Sequence, residues 1–145
     1  MRKFVLDASI ALKWFFPKEK NSNIARSALE KIKKGEIKIF VPQIFFFEVI
    51  NVMKTKAKTT PEDVLYAINK LFSLSLVTKT VDSGLLSKAN FYAQKYDLTI
   101  YDASYIAVAK INNATLITAD EKMAKKTNLK FVKTIKESSN EKKKA

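Results

Sequence analysis

Cysteine and histidine are both absent from the chain. Without thiols there is no disulfide, no thiolate zinc site and no cysteine nucleophile. Without imidazoles there is no histidine general base, no Ser-His-Asp triad and no histidine-bound metal. Any metal is left with oxygen ligands, which favours Mg²⁺, Mn²⁺ or Ca²⁺ over zinc. Glycine is scarce as well, with only Gly35 and Gly84. That removes the G-x-G-x-x-G turn of dinucleotide-binding folds and the Walker phosphate loop. Arginine is confined to Arg2 and Arg26, although Lys and Arg number 27 against 14 acids, a net charge of +13. So large an excess points to a polyanionic partner, with a merely soluble lysine-rich surface as the plainer alternative. Lysine meets phosphate as a point charge, whereas bidentate reading of guanine favours arginine. A nucleic acid would therefore be held by its backbone more than by its base edges. No apolar run approaches the ~20 residues that cross a bilayer. Asp7 interrupts the only apolar stretch near the N-terminus, so no signal peptide is read there and a cytoplasmic chain with no membrane partner is expected.

What remains is a chain of 145 residues, enough for one domain with a real core. Apolar runs at 3–6, 37–41, 76–81, 114–118 and 130–133 read as strands. Helical spacing is read over 8–16, 21–34, 43–58, 61–73, 83–96 and 102–112, with a short helix after 120. Gly35 suits the end of one helix, Pro42 and Pro61 the first turns of two others, and Asp82 the cap of a fourth. Strands alternating with helices imply an α/β fold with a parallel sheet and helices on both faces. The first two strands are almost wholly apolar, as strands covered on both faces are. The end, KESSNEKKKA at 136–145, offers no core residue and is expected to be a disordered lysine-rich tail, which leaves 1–135 as the domain.

Most acids lie among lysines and polar residues, but Asp7, Glu48, Asp102 and Asp120 sit in apolar surroundings. Asp7 and Asp120 each follow a strand, at the edge where open parallel sheets place their sites. The tripeptide Asp-Ala-Ser occurs at 7–9 and again at 102–104, each time ahead of a helical pattern. Taken singly, Asp7 and Asp102 are explained as helix caps or turn residues, and Asp120 likewise. Glu48, inside IFFFEVINVM, is harder to explain, because a carboxylate among large apolar neighbours needs a partner or must stay neutral. A metal or a lysine would serve. Asn51, three residues on, shares its helix face. Four such acids repel one another unless a divalent cation joins them. Ser9 accompanies Asp7 and Thr118 precedes Asp120, where each can cap a backbone group or orient a carboxylate.

VLDAS at 5–9, FFEVINV at 46–52, YDLTIYDASYIAVAK at 96–110 and TLITAD at 115–120 together resemble the PIN-domain family, in particular the VapC-type toxins of toxin–antitoxin pairs. The resemblance spans about residues 1–135. It implies a three-layer α/β/α sandwich around a mainly parallel sheet. It also implies a metal-dependent ribonuclease whose acidic quartet is Asp7, Glu48, Asp102 and Asp120, with a homodimer and a small antitoxin as partners. On that footing the acids would hold one or two Mg²⁺ or Mn²⁺ ions beside an RNA substrate. Ser9, Asn51 and Thr118 would support them, and Lys13 would hold the RNA backbone. Three other readings share these residues: an RNA-processing PIN nuclease, a structure-specific DNA nuclease, and a PIN-like module that binds RNA or protein without cutting. The aromatic run Phe45–Phe47 and the pattern Val64, Leu65, Ile68, Leu71, Phe72 fit a mixture of core packing and burial against a partner chain.

Overall fold

The structure, a computed structural model, describes residues 1–56 and 58–144, the last four as backbone only. Among the described residues five strands form one sheet: β1 (Arg2–Leu6), β2 (Ile37–Pro42), β3 (Leu76–Lys79), β4 (Thr115–Thr118) and β5 (Val132–Thr134). Their order is β3-β2-β1-β4-β5, and every neighbouring pair is parallel. Parallel neighbours need long crossovers, and helices supply them. α1 (Ala8–Phe15) and α2 (Ser22–Lys33) join β1 to β2; α3 (Ile44–Thr55) and α4 (Pro61–Ser73) join β2 to β3. α5 (Ser83–Tyr96) and α6 (Ile100–Ile111) carry the chain across to β4, α7 (Glu121–Thr127) leads to β5, and α8 (Ile135–Lys144) follows. This is the expected α/β architecture, a parallel sheet flanked by helices.

Val5, Leu6, Ile39, Val41, Leu116 and Ile117 are buried in the strands, which explains their continuous apolar runs. α6 packs on α5 and on β1, β2 and β4. Its Ala103, Ala107 and Ala109 are buried, and their small side chains let the helix lie close against its neighbours. Thr60 and Asp63 cap α4 reciprocally, which fixes its start beside Pro61. Gly35 adopts φ +72°, a conformation it reaches without a Cβ penalty, and lets the chain leave α2 for β2. Among the described residues no helix is long and apolar enough to cross a membrane.

Most boundaries fall within one or two residues of the sequence reading, and four departures concern the caps and ends of elements. Pro42 ends β2 opposite Lys79 instead of opening a helix; it cannot donate to a ladder, and it sits where the ladder stops. α3 ends at Thr55 rather than 58, and Ala57, inside the predicted span, lies outside the described residues. α6 begins at Ile100, capped by Thr99 and not by Asp102. The expected disordered tail is instead helix α8 through Lys144, while Ala145 lies outside the described residues. Thr134 Oγ1 accepts from Glu137 N at 3.2 Å and donates to its carboxylate, and Ile135 is buried, so the first turn is both capped and anchored.

β1 proceeds to β2 on one side, and the chain later crosses back to place β4 on its other side. The strand order therefore reverses between β1 and β4. In open α/β sheets the crevice outside the carboxyl ends at such a point is where ligands bind.

A candidate metal centre at the strand-order switch

β1 ends at Leu6, and Asp7 follows as the N-cap of α1. Its Oδ1 accepts from the Ser9 backbone N–H at 3.1 Å and from the Ser9 hydroxyl; its Oδ2 accepts from the Thr118 hydroxyl. The Ser9 oxygen in turn accepts from Ala119 N at 3.1 Å, and the Thr118 oxygen from Asp120 N at 3.0 Å. Both hydroxyls thus give their protons to Asp7 and use lone pairs to hold the β4–α7 turn. Asp120 caps α7, its Oδ1 accepting from Met123 N at 3.0 Å. Thr118 is fully buried and Asp7 is 9% exposed. Burial pushes the Asp7 carboxyl up to about 6, against the pull of the Ser9 and Thr118 hydrogen bonds, and the Asp102 charge adds to the rise.

Glu48 stands half-buried on α3, where Tyr105 of α6 donates its hydroxyl proton to Oε1 at 2.5 Å. The Ala8 backbone N–H at the start of α1 favours the ionised form of the Tyr105 phenol. Tyr105 is buried, and burial together with Glu48 drives its phenol well above the usual tyrosine range. Desolvation raises the Glu48 carboxyl, the Tyr105 hydrogen bond opposes this, and Asp102 raises it further. Asp102 occupies the first turn of α6, with its N–H donated to Thr99 Oγ1 at 3.0 Å. Its carboxyl is raised by burial and by the Asp120 charge, with Thr99 pulling the other way.

The Asp102 charge therefore raises both Asp7 and Glu48, and the Asp120 charge raises Asp102. The ion pairs Lys13–Glu19, Lys33–Glu30 and Lys56–Glu19 include none of the four, in a chain whose net charge is +13. Asn51 is exposed one turn beyond Glu48. Lys13 is engaged elsewhere: it is buried, its Nζ donates to the Lys20 carbonyl at 2.8 Å, and Glu19 lies 3.7 Å away. It braces the α1–α2 connection, so the RNA contact expected of it has no support in its surroundings. Thr99, which the sequence places near Asp102 as a hydroxyl able to cap a backbone group, does cap α6. One residue of the site escaped the sequence reading: Tyr105, which had no signal beyond its place on the apolar face of α6.

The donors around the crevice are carboxylates and hydroxyls, the oxygen chemistry that suits a hard divalent cation. No group of three acids among the described residues is arranged to hold an ion as the side chains lie. Asp7 is tied to Ser9 and Thr118, Glu48 to Tyr105 and Asp120 to Met123, and the acids repel one another.

No curated protein matches the chain by sequence. Solved structures share its fold. A toxin–antitoxin complex from Klebsiella pneumoniae superposes with a TM-score of 0.63 at 20% identity, covering 88% of this chain and 93% of that one. The toxin VapC20 of Mycobacterium tuberculosis, which cleaves the sarcin-ricin loop, gives 0.64 at 12% identity, over 80% and 87%. DNA-bound VapBC from Salmonella typhimurium gives 0.65 at 14% identity, over 92% and 97%. By sequence pattern, residues 4–129 match the PIN domain, and with that match running from β1 past α7 the chain belongs to the PIN domain family.

Proposed function

We propose that this chain is a metal-dependent endoribonuclease and the toxin of a toxin–antitoxin pair. The observation that carries this reading is the strand-order switch, where Asp7 follows β1, Asp120 follows β4, and Thr118 bonds to both the Asp7 carboxylate and the Asp120 N–H. Asp7, Asp102 and Asp120 would hold one or two Mg²⁺ or Mn²⁺ ions, with Glu48 completing the set directly or through water. The ion, when bound, supplies an activated water at neutral pH and stabilises charge developing on a phosphodiester. The protein's own residues supply placement. Ser9 and Thr118 hold the Asp7 carboxylate by both oxygens, and the backbone N–H groups opening α1 favour its ionised form. Lys122 and Lys125 are exposed on α7, the helix that Asp120 opens, and would hold the RNA backbone as point charges. No imidazole is required, which suits a chain without histidine.

Partners follow from the surface and from the likeness to solved toxin–antitoxin complexes. Phe45 and Leu71 are core residues, but Phe47, Leu65 and Phe72 are exposed on α3 and α4, and Leu86 and Phe91 on α5. Two apolar faces suit two partners, a second copy of the chain and a small antitoxin; sedimentation of the purified chain tests the first. The activity is tested by incubating labelled single-stranded RNA with the protein plus Mn²⁺, plus EDTA, and with Asp7→Asn. Cutting is expected only with metal and with Asp7 intact. Failure of a folded, Mn²⁺-binding protein to cut any RNA offered would overturn the ribonuclease reading.

A further inference from the structure

We infer that Tyr105 is a positioning residue that fixes the orientation of the Glu48 carboxylate at the strand-order switch. The inference rests on the metal-dependent reading above and names, within it, what holds Glu48 in place. Tyr105 is buried on α6, and its hydroxyl donates to Glu48 Oε1 at 2.5 Å. That one bond ties α6, which carries Asp102, to α3, which carries Glu48. The tie sets the rotation of the carboxylate, with Oε1 held toward Tyr105. Glu48 lies on a helix whose neighbouring side chains are aromatic and aliphatic, and Tyr105 is its hydrogen-bond partner there. Metal ligands held by such an outer hydrogen bond lose about 10- to 100-fold in affinity or activity when the bond is removed.

The experiment is a double-mutant cycle on Mn²⁺ affinity, read from the paramagnetic resonance of the free ion, with single-turnover RNA cleavage measured in parallel. Four proteins are compared: wild type, Tyr105→Phe, Glu48→Gln and the double variant. Removal of the hydroxyl alone is expected to weaken Mn²⁺ binding about 10-fold and to slow cleavage by a similar factor, with RNA affinity unchanged. In the Glu48→Gln background the same removal is expected to change Mn²⁺ affinity by less than about twofold, because a residue that acts through Glu48 has nothing left to position. Equal losses in both backgrounds would overturn the inference and leave Tyr105 as a structural residue. So would unchanged binding in Tyr105→Phe. If Tyr105→Phe fails to fold, Tyr105→Met, of similar apolar bulk, takes its place in the cycle. A folded wild type that binds no Mn²⁺ would overturn the metal-dependent reading itself and the inference with it.

Discussion

Replacing Asp7 by Asn should make the metal-free protein more stable at neutral pH while abolishing its activity. The Asp7 carboxyl titrates at about 6 in the folded chain, against an ordinary value of 3.8. Its folded pKa lies above its unfolded one, so between those values the folded state holds a proton that the unfolded state has released. For this group stability is fullest below about pH 4, falls as pH rises through about 6, and stays low above it. At about 1.4 kcal/mol per pH unit, the gap between 3.8 and about 6 amounts to about 3 kcal/mol. An amide carries no such penalty, but its NH₂ must face a hydroxyl that now donates to Asp7, a mismatch costing about 1 kcal/mol. The variant should therefore exceed wild type by about 2 kcal/mol at about pH 7.5, with the advantage vanishing near pH 4.5. Urea unfolding in EDTA at the two pH values measures this directly, because other titrating groups cancel in the difference. Adding Mn²⁺ at the higher pH should stabilise wild type and leave the variant unmoved. A variant that is less stable than wild type by the same amount at both pH values would refute the reasoning, since Asp7 would then be an ordinary satisfied cap.

Three further outcomes are expected. Thr118→Val keeps the side-chain shape but removes the donor to Asp7 and the acceptor for Asp120 N; it should cost about 2–3 kcal/mol in chemical denaturation and move the acid limb of the cleavage profile to higher pH. Mn²⁺ at about 100 times its dissociation constant should add about 2.7 kcal/mol to wild-type stability, and Asp102→Asn, which removes the acid coupled to all three others, should lose most of that gain in a thermal melt. Phe45 is fully buried at the start of α3, and Phe45→Ala should cost about 3–5 kcal/mol in urea unfolding whether or not metal is present.

The sheet was legible because strands covered on both faces write themselves as uninterrupted apolar runs, as at Phe4–Leu6 and Ile39–Val41. The placement of Asp7 and Asp120 at strand ends was legible for the same reason, since finding a strand also finds its end. α4 was read at its true limits because Thr60 and Pro61 mark its start chemically. The misread boundaries are places where two local signals compete. Thr99 and Asp102 are both capping residues three positions apart, and the earlier one caps, its Oγ1 accepting from Asp102 N, so that Asp102 falls inside the first turn. In the tail, a polar composition outweighed the capping pair Thr134 and Glu137. Lys13 and Tyr105 were beyond reach for another reason. A lysine on an apolar helix looks the same whether its amine meets a phosphate or, as here, the Lys20 carbonyl. The meeting of Tyr105 with Glu48, 57 positions away, is made by the fold and leaves no local trace.

The clasp between Asp7 and Thr118 joins residues 111 positions apart, and it closes only when the first strand docks on the fourth. Loops of that span close late, because the entropy of bringing distant segments together must be overcome before their contacts contribute. A growing chain thus carries Asp7, Glu48 and Asp102 before β4 brings Thr118 and Asp120 to join them. A product cut short before residue 115 would contain three of the four acids and lack both the fourth and the hydroxyl that clasps the first.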